Sequence, residues 1–403
     1  MKYRNLLFIF LLSVFASCSK DPELEPDTPP STFKVRIDNV IHETYFDSYP
    51  QGPSLFVPYL VMSGLPEGEK LLAFGGYYSP ENPNPDGSDY TFIHDCADDE
   101  LIQGWDWTQE LIYSAGWIDL PIPGKTYYFK GVVRTNKAVY YSNTVTINTD
   151  GLPGYTPGPQ DRVLPVVFHV MPRKDGTYPH PYFFDEMLAC ANRLYRNVWP
   201  LPGLADAGIR FVPATHAPDG TALSTPGIHY LDERYELDLD ISNEELRQWV
   251  GDNLWEMTEV INVWVSPFIN DHIVSEDTST AGFTFLPYFA PEEMLQGCNT
   301  AVPGCFSGIF LNQEIVGNGY CNSGIAVFAH EAGHYLGLDH VFEEDWCDDT
   351  PQYDRARYRT EQYIPGIDTY LRYPIDASAE PYTALNVMDY DIVIYSGITP
   401  QQA

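Results

Sequence analysis

The stretch from Ser323 to His340 (Ser-Gly-Ile-Ala-Val-Phe-Ala-His-Glu-Ala-Gly-His-Tyr-Leu-Gly-Leu-Asp-His) constrains this chain more than any other. His330 and His334 are four residues apart, so an α-helix sets their imidazoles on one face, one turn apart, close enough to share a metal. Glu331 falls on the flank of that face, beside a metal rather than on it. Gly337 comes three residues after His334, where a helix ends cheaply through a left-handed residue. The chain can then turn sharply and bring in His340 as a third ligand. Three imidazoles with one open position form the donor set of a catalytic zinc rather than a closed structural one. The open position would hold a water acidified to a pKa of about 7. Glu331 would take its proton as general base and pass it to a leaving amine, which is amide hydrolysis. Ile325, Ala326, Phe328 and Ala329 supply a buried side, and Ser323 is placed as an N-cap. A core helix with incidental histidines would share that apolar side, but these fixed positions coincide by chance in only about one such chain in 10,000.

The N-terminus reads as an export segment. Lys2 and Arg4 precede an apolar run from Leu6 to Phe15, and Ala16-Ser17 precede Cys18. The run is too short to span a bilayer as a stable helix. Ala-Ser-Cys resembles the bacterial lipobox, in which the cysteine becomes the lipidated first residue, although Phe15 stands where that motif has Leu. Residues 1–17 are then a signal peptide, and 18–32, rich in proline and acids, a lipid-anchor tether. The expected location is the bacterial outer membrane or cell surface, with secretion as the alternative. A net charge of −34 argues against nucleic acid or an anionic membrane surface as partner. The membrane would be reached only through Cys18.

Residues 33–150 read as an all-β domain. Thr126–Arg134 and Val139–Ile147 are rich in Tyr, Val and Thr and flank turn residues. Together with Pro123-Gly124-Lys125 they resemble the last strands of a fibronectin-III or immunoglobulin-like sandwich, which makes this part a spacer or a binding module. His94-Asp95-Cys96 with Asp98-Asp99-Glu100 is read as a solvated loop with a structural cysteine, against a metal site or a thiol plug for the zinc. Residues 151–162 are Gly/Pro punctuation without periodicity and form the linker. Besides Cys18 there are six cysteines, an even number that suggests disulfides in an exported chain. Cys298–Cys305 is the favoured local pair, and Cys321–Cys347 would brace the helix.

Residues 163–403 read as the catalytic domain. Val163–Val170 is a nearly continuous apolar run, the pattern of a strand buried on both faces, with His169 as a satisfied core residue. A helix is expected over Phe184–Val198, and strands at Ile209–Val212, Val260–Val265, Ala281–Phe285 and Ser307–Asn312. Their alternation implies an α+β fold with a mixed, mostly parallel sheet, a backing helix and the active-site helix. The acidic stretch Asp232–Glu245 reads as a solvated face rather than a calcium loop.

His-Glu-x-x-His-x-x-Gly-x-x-His over 330–340 is the metzincin signature. With Cys347-Asp348-Asp349-Thr350-Pro351, Asn386-Val387-Met388-Asp389-Tyr390 and the Val-Val-Phe-His-Val strand, the chain resembles the pappalysin family of metzincins from about Leu164 to Tyr390. The resemblance implies that Met388 forms the Met-turn, an apolar floor beneath the imidazoles. It implies that Tyr390 donates to the oxyanion of the tetrahedral intermediate. It also implies that Asp348, Asp349 and Thr350 lie near a structural calcium, although local turn-making explains them equally well. Two departures stand out. No cysteine follows Cys347, so any partner lies upstream, and the chain ends at Thr399-Pro400-Gln401-Gln402-Ala403, where the family continues into a helix. The resulting expectation is a zinc endopeptidase acting on a protein or peptide. The alternative is a surface binding protein or adhesin with an inert zinc site.

Overall fold

The computed structural model describes residues 32–44, 54–119, 121–238, 244–269, 281–284, 308–314, 321–342, 347–354, 363–364, 369–376, 378–383, 385–389 and 397–403. The export segment with Cys18, the Cys298–Cys305 pair and Tyr390 lie outside them.

The N-terminal part is antiparallel throughout. Its strands are β1 (Lys34–Thr44), β2 (Ser54–Ser63), β3 (Leu71–Ser79), β4 (Tyr90–Asp95), β5 (Leu111–Ser114), β6 (Ile118–Asp119), β7 (Thr126–Thr135) and β8 (Val139–Asn148), with a short helix α1 (Glu100–Gln103) before β5. One sheet runs β1-β2-β5 with β6 also on β2, and the other runs β4-β3-β7-β8. Alternation along β7 sends Tyr127 and Phe129 inward, where they meet Leu60, Phe74 and Tyr78 in one core. Asn143 of β8 ties the sheets by imitating a strand partner. Its Oδ1 accepts from Ile37 N (2.9 Å) and its Nδ2 donates to Ile37 O (3.2 Å).

The Cys96 region resolves in favour of the structural reading. Asp99 caps α1 by accepting from the Leu101 and Ile102 amides. Cys96 is buried in the sandwich core, and burial pushes its thiol up to about 12, so it is an inert packing residue and no plug for a distant metal. Cys190 is likewise a buried thiol, in a different core, so these two do not pair.

The second part is built on β9 (Arg162–Val170), α2 (Pro181–Tyr195), β10 (Ile209–Pro213), β11 (Ile228–Tyr230), β12 (Leu237–Asp238), α3 (Glu244–Asn253), β13 (Ile261–Ser266), β14 (Phe268–Ile269), β15 (Gly282–Thr284), β16 (Ile309–Asn312) and α4 (Cys321–Tyr335). The main sheet runs β10-β9-β13-β16-β15, and β11 shares the outer edge of β9 with β10. All its pairings are parallel except β15 on β16. The mixed, mostly parallel sheet is therefore as expected. Helices α2 and α4 cover one face, through a core that includes Val166, Phe168, Leu194, Phe328 and Ala332. Trp264 and Phe310 pack with Leu237 and Val250 on the other. Two covered faces explain why β9 is apolar at nearly every position.

Helix α2 begins and ends three residues earlier than the apolar spacing suggests. Pro181 occupies its first turn, where a missing N–H costs nothing. Asn197 is left-handed (φ 44°), so Val198 lies in irregular chain beyond the helix.

His169 is a satisfied core residue, and its partners fix its tautomer. Asn262 Nδ2 donates to Trp255 O (3.0 Å) and its Oδ1 accepts from Trp255 N (2.9 Å), which settles the amide orientation. Oδ1 therefore also accepts from His169 Nε2 (2.9 Å), leaving His169 Nδ1 to accept from His229 Nδ1 (2.9 Å). Burial pushes the His169 imidazole down to about 3 from its ordinary 6.5. A histidine depressed in the folded state contributes stability above its unfolded value, and that contribution is lost as pH falls. Denaturant unfolding is accordingly expected to lose stability as pH drops from 6.5 towards about 3. Asn262→Leu, which strands the Trp255 amide and carbonyl, should cost about 2 kcal/mol or more at neutral pH. A loss near zero would show that the network carries no stability.

Candidate metal centre

Helix α4 carries the site because small residues let it sit deep. Ala326, Ala329 and Ala332 are fully buried, and Tyr195 of α2 donates its hydroxyl to Ala329 O at 2.9 Å, one residue before His330. The helix ends as the spacing predicts. Gly337 is left-handed (φ 101°), Leu338 N bonds Gly333 O (2.9 Å) and Gly337 N bonds His334 O (2.9 Å). This paired bonding is a Schellman stop. It reverses the chain so that His340 returns to the helix.

One ring nitrogen from each of His330, His334 and His340 lies within 4.8 Å of the other two. His330 Nδ1 donates to Val387 O (2.7 Å) and His334 Nδ1 to Leu338 O (2.7 Å). A carbonyl can only accept, so both Nδ1 atoms carry the proton and both Nε2 atoms present bare lone pairs. His334 Nε2 faces His340 Nε2 at 3.1 Å. Burial, with His334 adding to it, pushes His330 down to about 3, and burial also lowers His334. Neutral imidazoles with convergent Nε2 atoms fit a zinc ion.

Met388 packs against the helix between His330 and His334. It is fully buried, and a Cβ built on Gly333 would stand 2.2 Å from its sulfur. Gly333 lies between the two helical histidines and is required by this close approach. The turn is held from behind. Asn386 Oδ1 accepts from Met388 N (2.9 Å), Asp389 accepts from Tyr353 OH (2.8 Å) and Arg372 Nε (3.1 Å), and Arg372 and Asp389 are fully buried. Sequence reasoning missed Gly333, Arg372, Tyr353 and Asp389. The position of Asp389 between Met388 and Tyr390 was the one available signal.

Glu331 is buried beside the histidines, and burial pushes its carboxyl up to about 8, against a lowering contribution from the Thr284 hydroxyl. Its Oε2 has no hydrogen-bond partner among the described residues. Edge strand β15 crosses the helix closely here, since a Cβ on Gly282 would stand 3.0 Å from Glu331 Cγ. An orphaned, buried carboxylate oxygen beside three convergent ring nitrogens is a donor set that fits a cation and its bound water.

The expected calcium segment is occupied otherwise. Asp349 Oδ1 accepts from Thr399 Oγ1 (2.7 Å) and Oδ2 from Gln401 N (3.1 Å), while Thr350 Oγ1 donates to Cys347 O (2.9 Å). Asp348 N donates to Gln401 Oε1 (2.6 Å). These bonds favour the turn-making role over metal binding. Gln402 Oε1 accepts from Thr399 N (3.0 Å) and Asn386 Nδ2 (2.8 Å), so the same C-terminal turn also braces the Met388 turn.

Three histidines on a helix and its return, a glutamate beside them and a methionine floor define a metzincin-type zinc metallopeptidase. Within that class, residues 244–402 match the sequence model of the peptidase family described as Pregnancy-associated plasma protein-A. No curated protein matches the chain. Among solved structures, mirolysin in complex with a compound aligns at 18% identity over 60% of this chain and 89% of that one, with a TM-score of 0.43. Mature mirolysin of Tannerella forsythia in complex with a cleaved peptide aligns at 17% identity over 61% and 90%, with a TM-score of 0.42.

Gly333→Ala tests the floor. The added methyl displaces Met388, and zinc retention against a competing chelator should fall by about tenfold or more. Unchanged retention would mean that Met388 does not support the ligands.

Proposed function

We propose that the chain is an exported, lipid-anchored zinc endopeptidase. The convergence of three imidazole nitrogens beside the orphaned carboxylate of Glu331 carries this reading. His330, His334 and His340 would hold the zinc. Zinc bound there supplies Lewis acidity, polarising a peptide carbonyl and lowering the pKa of water. Glu331 receives a proton on its free oxygen and hands it to the leaving amine. Its raised value reflects burial without a neighbouring positive charge, and a cation among the imidazoles shifts the balance back towards carboxylate. Tyr390 follows the buried Asp389 and is assigned the oxyanion-donor role. An extended substrate would pair with the outer edge of β15, which among the described residues has a strand on one side only. Cys18 is assigned as the lipid attachment point. Among the described residues no helix is long and apolar enough to cross a membrane. Residues 33–150 are assigned as a fibronectin-III-like sandwich.

The binding-protein alternative leaves Glu331 unexplained, since an inert metal site has no need of a buried base. Glu331→Ala is expected to retain stoichiometric zinc and to lose cleavage of a mixed peptide library by about 100-fold or more. Cleavage at the parental rate would remove Glu331 from the chemistry. A parental chain without zinc would overturn the assignment altogether.

A further inference from the structure

Helix α2 was expected only to back the sheet, yet one side of it is buried in the sandwich. Tyr182 and Phe183 belong to the same hydrophobic cluster as Phe74, Tyr78, Tyr90 and Tyr127. The Phe183 and Tyr90 rings meet edge to face at 4.5 Å. Polar groups cross the same boundary. Glu186, 5% exposed, accepts hydrogen bonds from the Tyr90 hydroxyl and from the Tyr127 hydroxyl at 2.7 Å. Tyr182 donates to Asp89 Oδ1 (2.9 Å), and Arg193 donates to Pro121 O (2.9 Å), with Asp89 and Arg193 both buried.

From this geometry we infer that the β-sandwich is a permanent partner of the peptidase domain, clamped to it by α2, and not a spacer or detachable segment. Interfaces that open and close keep their charges at a wet rim. Here two carboxylates, a guanidinium and three phenols are buried at the boundary, each with a hydrogen bond made across it. Such a network, once satisfied, rigidifies and specifies one arrangement. The clamp also reaches the metal helix. The far end of α2 supplies the Tyr195 bond to Ala329 O, and Ile325 of α4 packs against both cores. The sandwich therefore helps to set the position of the helix that carries His330 and His334.

The test uses the full chain from residue 19 with a site-specific protease sequence inserted between Thr156 and Pro157, both exposed in the linker. After complete cleavage the two fragments should elute together at the size of the uncut chain at micromolar concentration and part only in denaturant. In the double variant Tyr90→Phe/Tyr127→Phe the rings stay and the two donors to Glu186 are lost. Its cleaved fragments should separate at concentrations at least about tenfold higher than the parent's. Separation of the parental fragments at micromolar concentration would overturn the inference. A double variant as tightly associated as the parent would remove Glu186 as the clamp. Neither readout uses peptidase activity, so the result stands apart from the assignment of the metal centre.

Discussion

Two backbone carbonyls decide where the metal-facing lone pairs point. Val387 O and Leu338 O each take the Nδ1 proton of a histidine, which leaves Nε2 bare and turned inward. The two carbonyls have different origins. Leu338 is delivered by the Schellman stop at Gly337, and Val387 by the turn that also places Met388. Helix ending, third ligand and floor are therefore one construction, since a change in any of them moves a carbonyl and with it a lone pair.

Around this centre the packing is tight in a directional way. Gly333 and Gly282 are points where an added Cβ would collide, Gly333 of the helix with the Met388 sulfur on one side and Gly282 of the edge strand with Val327 and Glu331 of the helix on the other. The helix is thus held between Met388 and edge strand β15. Behind the floor, the buried Arg372–Asp389 pair with Tyr353 gives the turn a rigid back. Removing one member of such a pair is costly, because the other is left charged and buried.

Much of this was legible in the sequence where the information is local. The spacing from His330 to His340 contains the face of the helix, its stop and the return. The unbroken apolar run of β9 announced burial on both faces. What was not legible depends on partners far apart along the chain. Arg372 and Tyr353 reach Asp389 from 17 and 36 residues away, through a region with no periodicity to mark them. Glu186 reads as an ordinary helix acid, and its tyrosine partners lie 96 and 59 residues upstream in another sheet. The sharing of one edge of β9 between β10 and β11 likewise leaves no trace in either short strand. Asp349 could be read as a calcium ligand or a turn former, and only the C-terminal turn folding back onto it separated the two.

The Trp255–Asn262–His169–His229 chain has a polarity. Because the peptide group of Trp255 fixes the Asn262 amide, every later donor points the same way, from His229 inward to Asn262. His229 can take up a proton on Nε2 and still donate through Nδ1. His169 cannot be protonated without losing the acceptor that His229 needs. The centre of the sheet therefore stays electrically neutral down to the low value, about 3, at which His169 takes up a proton.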